Sequence, residues 1–450
     1  MQARNASWFR RFLKRVRQEL RWLMPGIGVK RWLAVLLVGT TFNGVGLAML
    51  LLDIYRNVPE SRWLPVISAV SLQSFARPVR VFVFLGLGIA VSLWGVWGLN
   101  RSLLRPFVRP GRHVLDTVTD YRKRERGPKI VVIGGGTGLA SLLRGIKHYS
   151  HNITAIVTVA DDGGSSGELR RNMGVLPPGD IRNCLAALSD DEELVTQLFK
   201  YRFGASAGLN GHNLGNLLIT AMADITGSFE RGIAESGRVL AVRGRVMPST
   251  LNDVKLVADI RMPELNQEIR VSGESKIPTT PGKINRVWLE PNNPDAYPPA
   301  IQAILNADLI IVGPGSLYTS LLPNLLVPDI AAAIQASRAY KFYICNVATQ
   351  PGETDHFSCF DHIQSIERHV GGRLFDLVIC NNARKEDLPG NVNYVLPDER
   401  LEEHYPMYCA DLLDDEQPWR HDSDKLARVV MDLYSERTGP LYKPDDDLVL

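Results

Sequence analysis

A short run of branched residues ending in glycines, KIVVIGG from Lys129, most narrows what this chain can fold into. Valine and isoleucine favour a pleated strand, and Gly134, Gly135 and Gly136 end it abruptly. LASLLRGIKHY follows with apolar residues at helical spacing, and NITAIVTVA is strand-like again. Parallel strands need a crossover long enough for a helix, so this order opens a parallel, helix-covered sheet. More strands are expected at 309–312, 342–347 and 376–380, with helical stretches between them. The shorter pieces LVADI, EIRVSG and INRVWLE, within 245–290, predict an inserted or edge sheet. The expected class is α/β over residues 128–425, with a C-terminal tail, 426–450, that includes the helical piece DKLARVVMDLY. With 45% hydrophobic and 22% charged residues, wholesale disorder is excluded.

Two uncharged apolar runs, 33–52 and 81–99, precede that domain. Each approaches the roughly 20 residues that a helix needs to cross a bilayer. Trp32, Trp63, Trp94 and Trp97 sit near their ends, where indole rings favour the interface. A two-helix transmembrane hairpin is therefore expected over 32–100. Residues 1–31 hold nine Lys or Arg against one acid, and 101–129 hold nine against three. The stretch between the runs, 53–80, has four. The positive-inside bias places both ends, and so the main domain, on the cytoplasmic side of the cell membrane. Phe9, Phe12, Val16 and Leu20 recur at helical spacing among arginines, which predicts a basic amphipathic helix on an anionic leaflet. Residues 101–127 read as a basic connector. A net charge of +3 implies no global field for polyanions, and no nucleic-acid partner is expected. Five cysteines without a C-x-x-C pair argue against a disulfide scaffold or a zinc ribbon.

The chemistry-bearing motifs all follow strand-like runs or open helices. Gly134, Gly135, Gly136, Thr137 and Gly138 lie between a strand and a helix, where bare amides can cradle a phosphate. The structural alternative is a tight turn alone. A dinucleotide fingerprint fits loosely, since Ser141 stands where a third Gly or Ala is usual, and no P-loop lysine follows. Asp161 and Asp162 begin the next loop, DDGGSSG, with Ser165 and Ser166. Paired acids there suit a ribose hydroxyl, a divalent cation shared with phosphates, or a general base. In LPPGDIRN, Asp180 reads as a helix cap, while Arg182 or Asn183 can meet a ligand. Arg170 and Arg171 are candidate phosphate partners. His212, Asn213 and Asn216 gather at the start of an apolar helix. Gly313, Gly315, Ser316 and Thr319 form a second glycine turn after a buried strand, and Asn346, Thr349 and Glu353 follow another. No Ser-His-Asp or Cys-His signature is present in a recognisable local form, and no His/Cys spacing suggests zinc.

In this order, VVIGGGTGL, VADDGGSSGELR, LPPGDIRN, GHNLGNLL, IVGPGSLYTSLLPNLLVPDI and NVATQPGETDHFS resemble the gluconeogenesis-factor proteins (YvcK type). That group shares a superfamily with the 2-phospho-L-lactate transferases (CofD type). The resemblance covers about 128–420 and implies a Rossmann-like parallel sheet with helices on both faces. It also implies a UDP-sugar ligand and a link to cell shape and cell-wall growth on gluconeogenic carbon. The transferase branch implies an alternative, Mg²⁺-dependent transfer of a phospholactyl-type group from a nucleotide diphosphate adduct to an alcohol. In that reading Asp161 and Asp162 bind the metal or take the proton. Wall or morphogenesis proteins, and further copies of the chain, are the expected macromolecular partners.

Overall fold

The computed structural model describes residues 124–438, except 126, 190–191, 205–208, 210, 263–266, 386–387 and 389, together with scattered positions between 40 and 94. The chain divides into two units, Met1–Arg122 and Lys123–Leu450. In the first unit the described positions within 40–48 and 79–94 are helical. The amphipathic segment 1–31, most of the connector and much of both expected spans lie outside the described residues. Among the described residues no single helix is long and apolar enough to cross a membrane.

Among the described residues the second unit carries ten strands. They are β1 (Ile130–Gly134), β2 (Ile153–Val157), β3 (Arg245–Pro248), β4 (Lys255–Met262), β5 (Gln267–Ser272), β6 (Lys283–Glu290), β7 (Leu309–Val312), β8 (Tyr340–Ile344), β9 (Leu377–Asn381) and β10 (Met407–Ala410). Seven form one sheet in the order β10-β9-β8-β7-β1-β2-β3. Every neighbouring pair in it is parallel. Strands β1, β2, β7 and β9 are buried at every position, as expected where helices flank a parallel sheet. The three pieces expected within 245–290 form a separate antiparallel sheet, β5-β4-β6, while β3, which is not among them, lies at the edge of the large sheet. The strand expected at 342–347 starts two residues earlier and ends at Ile344. Asn346 is thereby left in the loop, where its side chain is free to bond another turn.

Among the described residues of this unit, ten helices of eight or more residues accompany the strands: α1 (Gly136–Ile146), α2 (Gly164–Met173), α3 (Gly179–Leu188), α4 (Glu192–Lys200), α5 (Leu214–Thr226), α6 (Phe229–Val239), α7 (Pro298–Leu305), α8 (Pro328–Ala336), α9 (Cys359–Val370) and α10 (Ser423–Thr438). The register pairs Ile130 with both Ile153 and Leu309, so β1, β2 and β7 end together at one edge. From β1 the chain moves towards β2, and from β7 it moves the other way, towards β8. The point between β1 and β7 is therefore the topological switch point, where open parallel sheets bind ligands.

The expected boundary at 425 is corrected by α10. Leu426, Ala427, Val430, Met431, Leu433 and Tyr434 are buried, so this helix belongs to the core rather than to a tail. It packs on α1 at Gly145, where an added Cβ would lie 2.0 Å from the Ser423 carbonyl oxygen and 2.6 Å from Ala427 Cβ. Neither neighbour can yield without moving the helix backbone. Gly145→Ala is expected to lower the unfolding free energy of the full chain by about 1–3 kcal/mol, the usual range for overpacking. Unchanged thermal melting would contradict this helix contact.

Candidate functional site

A cleft of about 450 Å³ opens at the switch point, within the size range of small-molecule sites. Gly135, Gly136, Thr137 and Gly138 line it from β1 and α1, and Gly315, Ser316 and Ser320 line it from the turn after β7. Asn346, Thr349, Gln350 and Glu353 come from the loop after β8. Gly136 has φ +66°, a backbone that other residues adopt only under strain. The two glycine turns touch through their main chains. A Cβ on Gly138 would fall 2.7 Å from the Pro314 carbonyl oxygen, and one on Gly315 would fall 3.3 Å from that of Gly135.

Much of the polar lining holds the second turn in shape. Asn346 accepts from Gly315 N–H at 3.2 Å and donates to the Gly315 carbonyl at 2.8 Å. Gln350 Nε2 donates to Ser316 Oγ at 2.6 Å. Glu353 accepts from the Thr319 hydroxyl at 3.0 Å and from Tyr318 N–H at 3.2 Å. Thr349 bonds Asn393 in both directions, donating from its amide and accepting at its hydroxyl. Gly134 lies behind the cleft, where its carbonyl accepts from Asn324 Nδ2 at 3.0 Å. A Cβ on Gly313, φ +87°, would meet the Ile344 carbonyl at 2.7 Å. Of the amides and hydroxyls expected to meet phosphate from the second turn, Gly315 N–H and the Thr319 hydroxyl are engaged within the protein. In the first turn the N-cap Gly135 brings no side chain of its own, and Asp180 engages only the Gly136 amide.

Beside the first turn carboxylates crowd together. Asp180 does not cap its helix; Pro178 is the N-cap, and the Asp180 carboxylate accepts from Gly136 N–H. Enclosure pushes Asp180 up to about 6, the charge of Asp161 adds to this, and the Gly136 amide and Arg182 oppose it. Asp161 is also raised, by burial first, although Gly163 N–H (2.8 Å) and the Ser166 hydroxyl favour its charged form. Asp162 accepts from Ser275 N–H at 2.9 Å. Glu274, on the same loop as Ser275, is pushed up to about 8 by burial and then by Asp161, Asp180, Glu353 and Asp162. Burial raises Glu353 to about 7 against its two hydrogen bonds. Among the described residues no three His, Cys, Asp or Glu side chains stand ready to cage a metal. A Mg²⁺ that brings phosphate oxygens needs only one or two carboxylates, and mutual repulsion among these acids fits such a cation.

The remaining expected residues form a second cluster, which does not line the cleft. Ser165 meets His212 at 3.0 Å, and Asn216 Nδ2 donates to Ser165 at 3.1 Å and to Ser166 at 3.4 Å. Arg182 donates to Asn216 at 3.1 Å and to Asn183 at 3.0 Å. Asn213 is the N-cap of α5, and its N–H approaches Ser165 at 3.4 Å. Arg170 is not a phosphate partner here: it pairs with Asp253 and donates to the Val254 carbonyl. The clusters adjoin through α3. A Cβ on Gly179 would lie 2.5 Å from Ser166 Oγ, and one on Gly135 would lie 2.6 Å from Asp180 Oδ2. Sequence reasoning missed Glu274, Pro278, Trp419, Arg420 and His421, of which the last four line the cleft. None carries a local signal. Burial lowers His421 to about 4, so it faces the cleft as a neutral ring.

The family model described as 2-phospho-L-lactate transferase CofD matches residues 130–437. A Nostoc sp. relative under the gluconeogenesis-factor name is 47% identical over 444 residues, covering 93% of each chain. The gluconeogenesis factor of Bacillus subtilis is 47% identical over 321 residues, 69% of this chain and 99% of its own. A crystal structure from Bacillus halodurans superposes with a TM-score of 0.63 at 44% identity, covering 68% of this chain and 99% of the other. Matches of this extent make the chain a member of the 2-phospho-L-lactate transferase (CofD) family, alongside its gluconeogenesis-factor relatives.

Proposed function

We propose that this protein is a membrane-tethered gluconeogenesis-factor-like binder of a UDP-sugar, linking carbon metabolism to cell shape and wall growth. The amides at the start of α1 carry this reading. Gly136 N–H is taken by Asp180, but the next amides, of Thr137 and Gly138, have no partner within the helix, lie at the positive end of its dipole and belong to residues that line the cleft. Arg420 adds a guanidinium to the same lining, and Trp419, 38% exposed, offers a flat apolar face for a base or sugar ring. Asp161 and Asp162 would hold Mg²⁺, which neutralises diphosphate charge when bound. The transferase chemistry implied by the resemblance would draw on the same acids.

The tether rests on the apolar runs 33–52 and 81–99 and their basic flanks. Described positions of the second run are helical, and Phe82, Leu93 and Trp94 stand exposed on it at 75%, 62% and 72%, as lipid-facing side chains would. A domain held there samples nucleotide-sugar levels beside the wall-building enzymes.

Titration calorimetry of the full chain in detergent with UDP-N-acetylglucosamine is expected to show binding. Arg420→Ala should weaken it about tenfold or more, the loss of one charge-assisted hydrogen bond. No heat and no thermal shift at millimolar ligand would overturn the reading. Expressed in bacteria, the full chain should stay in the membrane pellet after carbonate washing, whereas release into the supernatant would remove the tether. The acids predict a pH effect as well. Glu274 and Glu353 keep protons in the native state that the unfolded chain has already lost. Native stability without ligand should therefore fall as pH rises from about 4.5, where free glutamates lose their protons, to about 8, where Glu274 loses its own, and level off above that. Glu274→Gln should flatten that slope in melting curves; an unaltered slope would contradict the proximity of the acids.

A further inference from the structure

Outside the cleft, three side chains from two segments stand in the order a covalent catalyst requires. Ser165 Oγ lies 3.0 Å from Nδ1 of His212, and Nε2 of that ring lies 3.6 Å from Oε2 of Glu168. A carboxylate at Nε2 favours the tautomer with its proton there, which leaves Nδ1 to accept the serine proton. Asn216 Nδ2 at 3.1 Å and Asn213 N–H at 3.4 Å also point to the serine oxygen and fix it. The His212 side chain is 12% exposed and that of Glu168 36%, so the base is shielded while solvent reaches the acid. Ser165 and Glu168 sit one turn apart on α2, and His212 and Asn216 flank the start of α5. A further sign of a ligand lies next to them. Asn213 is 3% exposed, yet its Oδ1 has no hydrogen-bond partner. A buried acceptor left alone costs about 1–3 kcal/mol, which a donor on a bound molecule would recover.

We propose that Ser165 is a nucleophile that accepts an acyl group from a carboxylic ester, with His212 as its base and Glu168 as the positioning residue for His212. The Ser165 oxygen bonds to the carbonyl carbon while the ester C–O bond breaks. The serine proton passes to His212 Nδ1 and then to the departing alkoxide, which leaves as an alcohol. Water, deprotonated at the same nitrogen, cleaves the acyl-serine, releases the carboxylic acid and restores the hydroxyl. First-turn amides of α2 lack partners within the helix and are the donors available to the transient oxyanion. The charges around the serine select the electrophile. Glu168 faces His212, and Asp161 is hydrogen-bonded to the neighbouring Ser166. Negative charge at this end favours a neutral ester over a phosphate.

The test uses the full chain with p-nitrophenyl acetate and with diisopropyl fluorophosphate. A burst of about one equivalent of p-nitrophenolate is expected, because acyl-enzyme accumulates when its hydrolysis is slower than its formation. Fluorophosphate should add to the peptide carrying Ser165, with fluoride as the leaving group. Ser165→Ala should abolish both signals, and His212→Gln should slow labelling about a hundredfold, the scale of a lost general base. Glu168→Ala should slow it less, and Glu168→Asp should restore part of the rate. Wild-type protein that melts normally but gives neither burst nor adduct at Ser165 would overturn the proposal. So would His212→Gln labelling at the wild-type rate.

Discussion

The site depends on how closely two loops approach each other. The turn after β1 and the turn after β7 meet main chain to main chain, with no room for a side chain at Gly138. Such contact is available because β1 and β7 are hydrogen-bonded neighbours whose onward connections diverge. A gap opens where the helices part, and glycine lets both backbones reach its floor. Asn346, Gln350 and Glu353 then brace the β7 side. One wall is internally bonded, and the other offers the first-turn amides of α1 that follow Gly136. A ligand entering between them meets a surface already arranged, which limits the ordering cost of binding.

The parallel sheet was legible because its strands are short unbroken apolar runs, and β7 falls at the expected positions. Glycine marked both turns, and the sheet edge brought Gly135 to Gly138 together with Gly315 and Ser316. Roles within the loops were harder to read. Sequence shows that Thr319, Asn346 and Thr349 are polar, but not that each is occupied with another part of the protein. Asp180 looked like a cap because it opens a helix, whereas its partner is an amide on a different element. Hydrogen bonds between loops follow from topology, and residue type alone carries no information about them.

The same reason explains the larger omissions. Glu274 belongs to the small sheet's β5–β6 loop and feels the charge of the acids, on a loop where Asp162 accepts from Ser275, 113 residues away in sequence. Trp419, Arg420 and His421 precede α10 and come to the rim from the far end of the domain. No local signature of a serine nucleophile exists, yet Ser165 and His212 meet across 47 residues. A catalytic arrangement defined by geometry has no obligatory spacing along a chain.

The place of α10 bears on how this protein matures. Helix α1 is sealed by the last helix of the domain, and the segment just before that helix supplies part of the cleft's rim. A ribosome makes these stretches after all the strands of the sheet. The nascent chain can assemble its sheet early and still lack both the lid on α1 and a cation at the mouth. A chain cut before residue 419 therefore lacks part of the cleft's rim as well as the helix that seals α1.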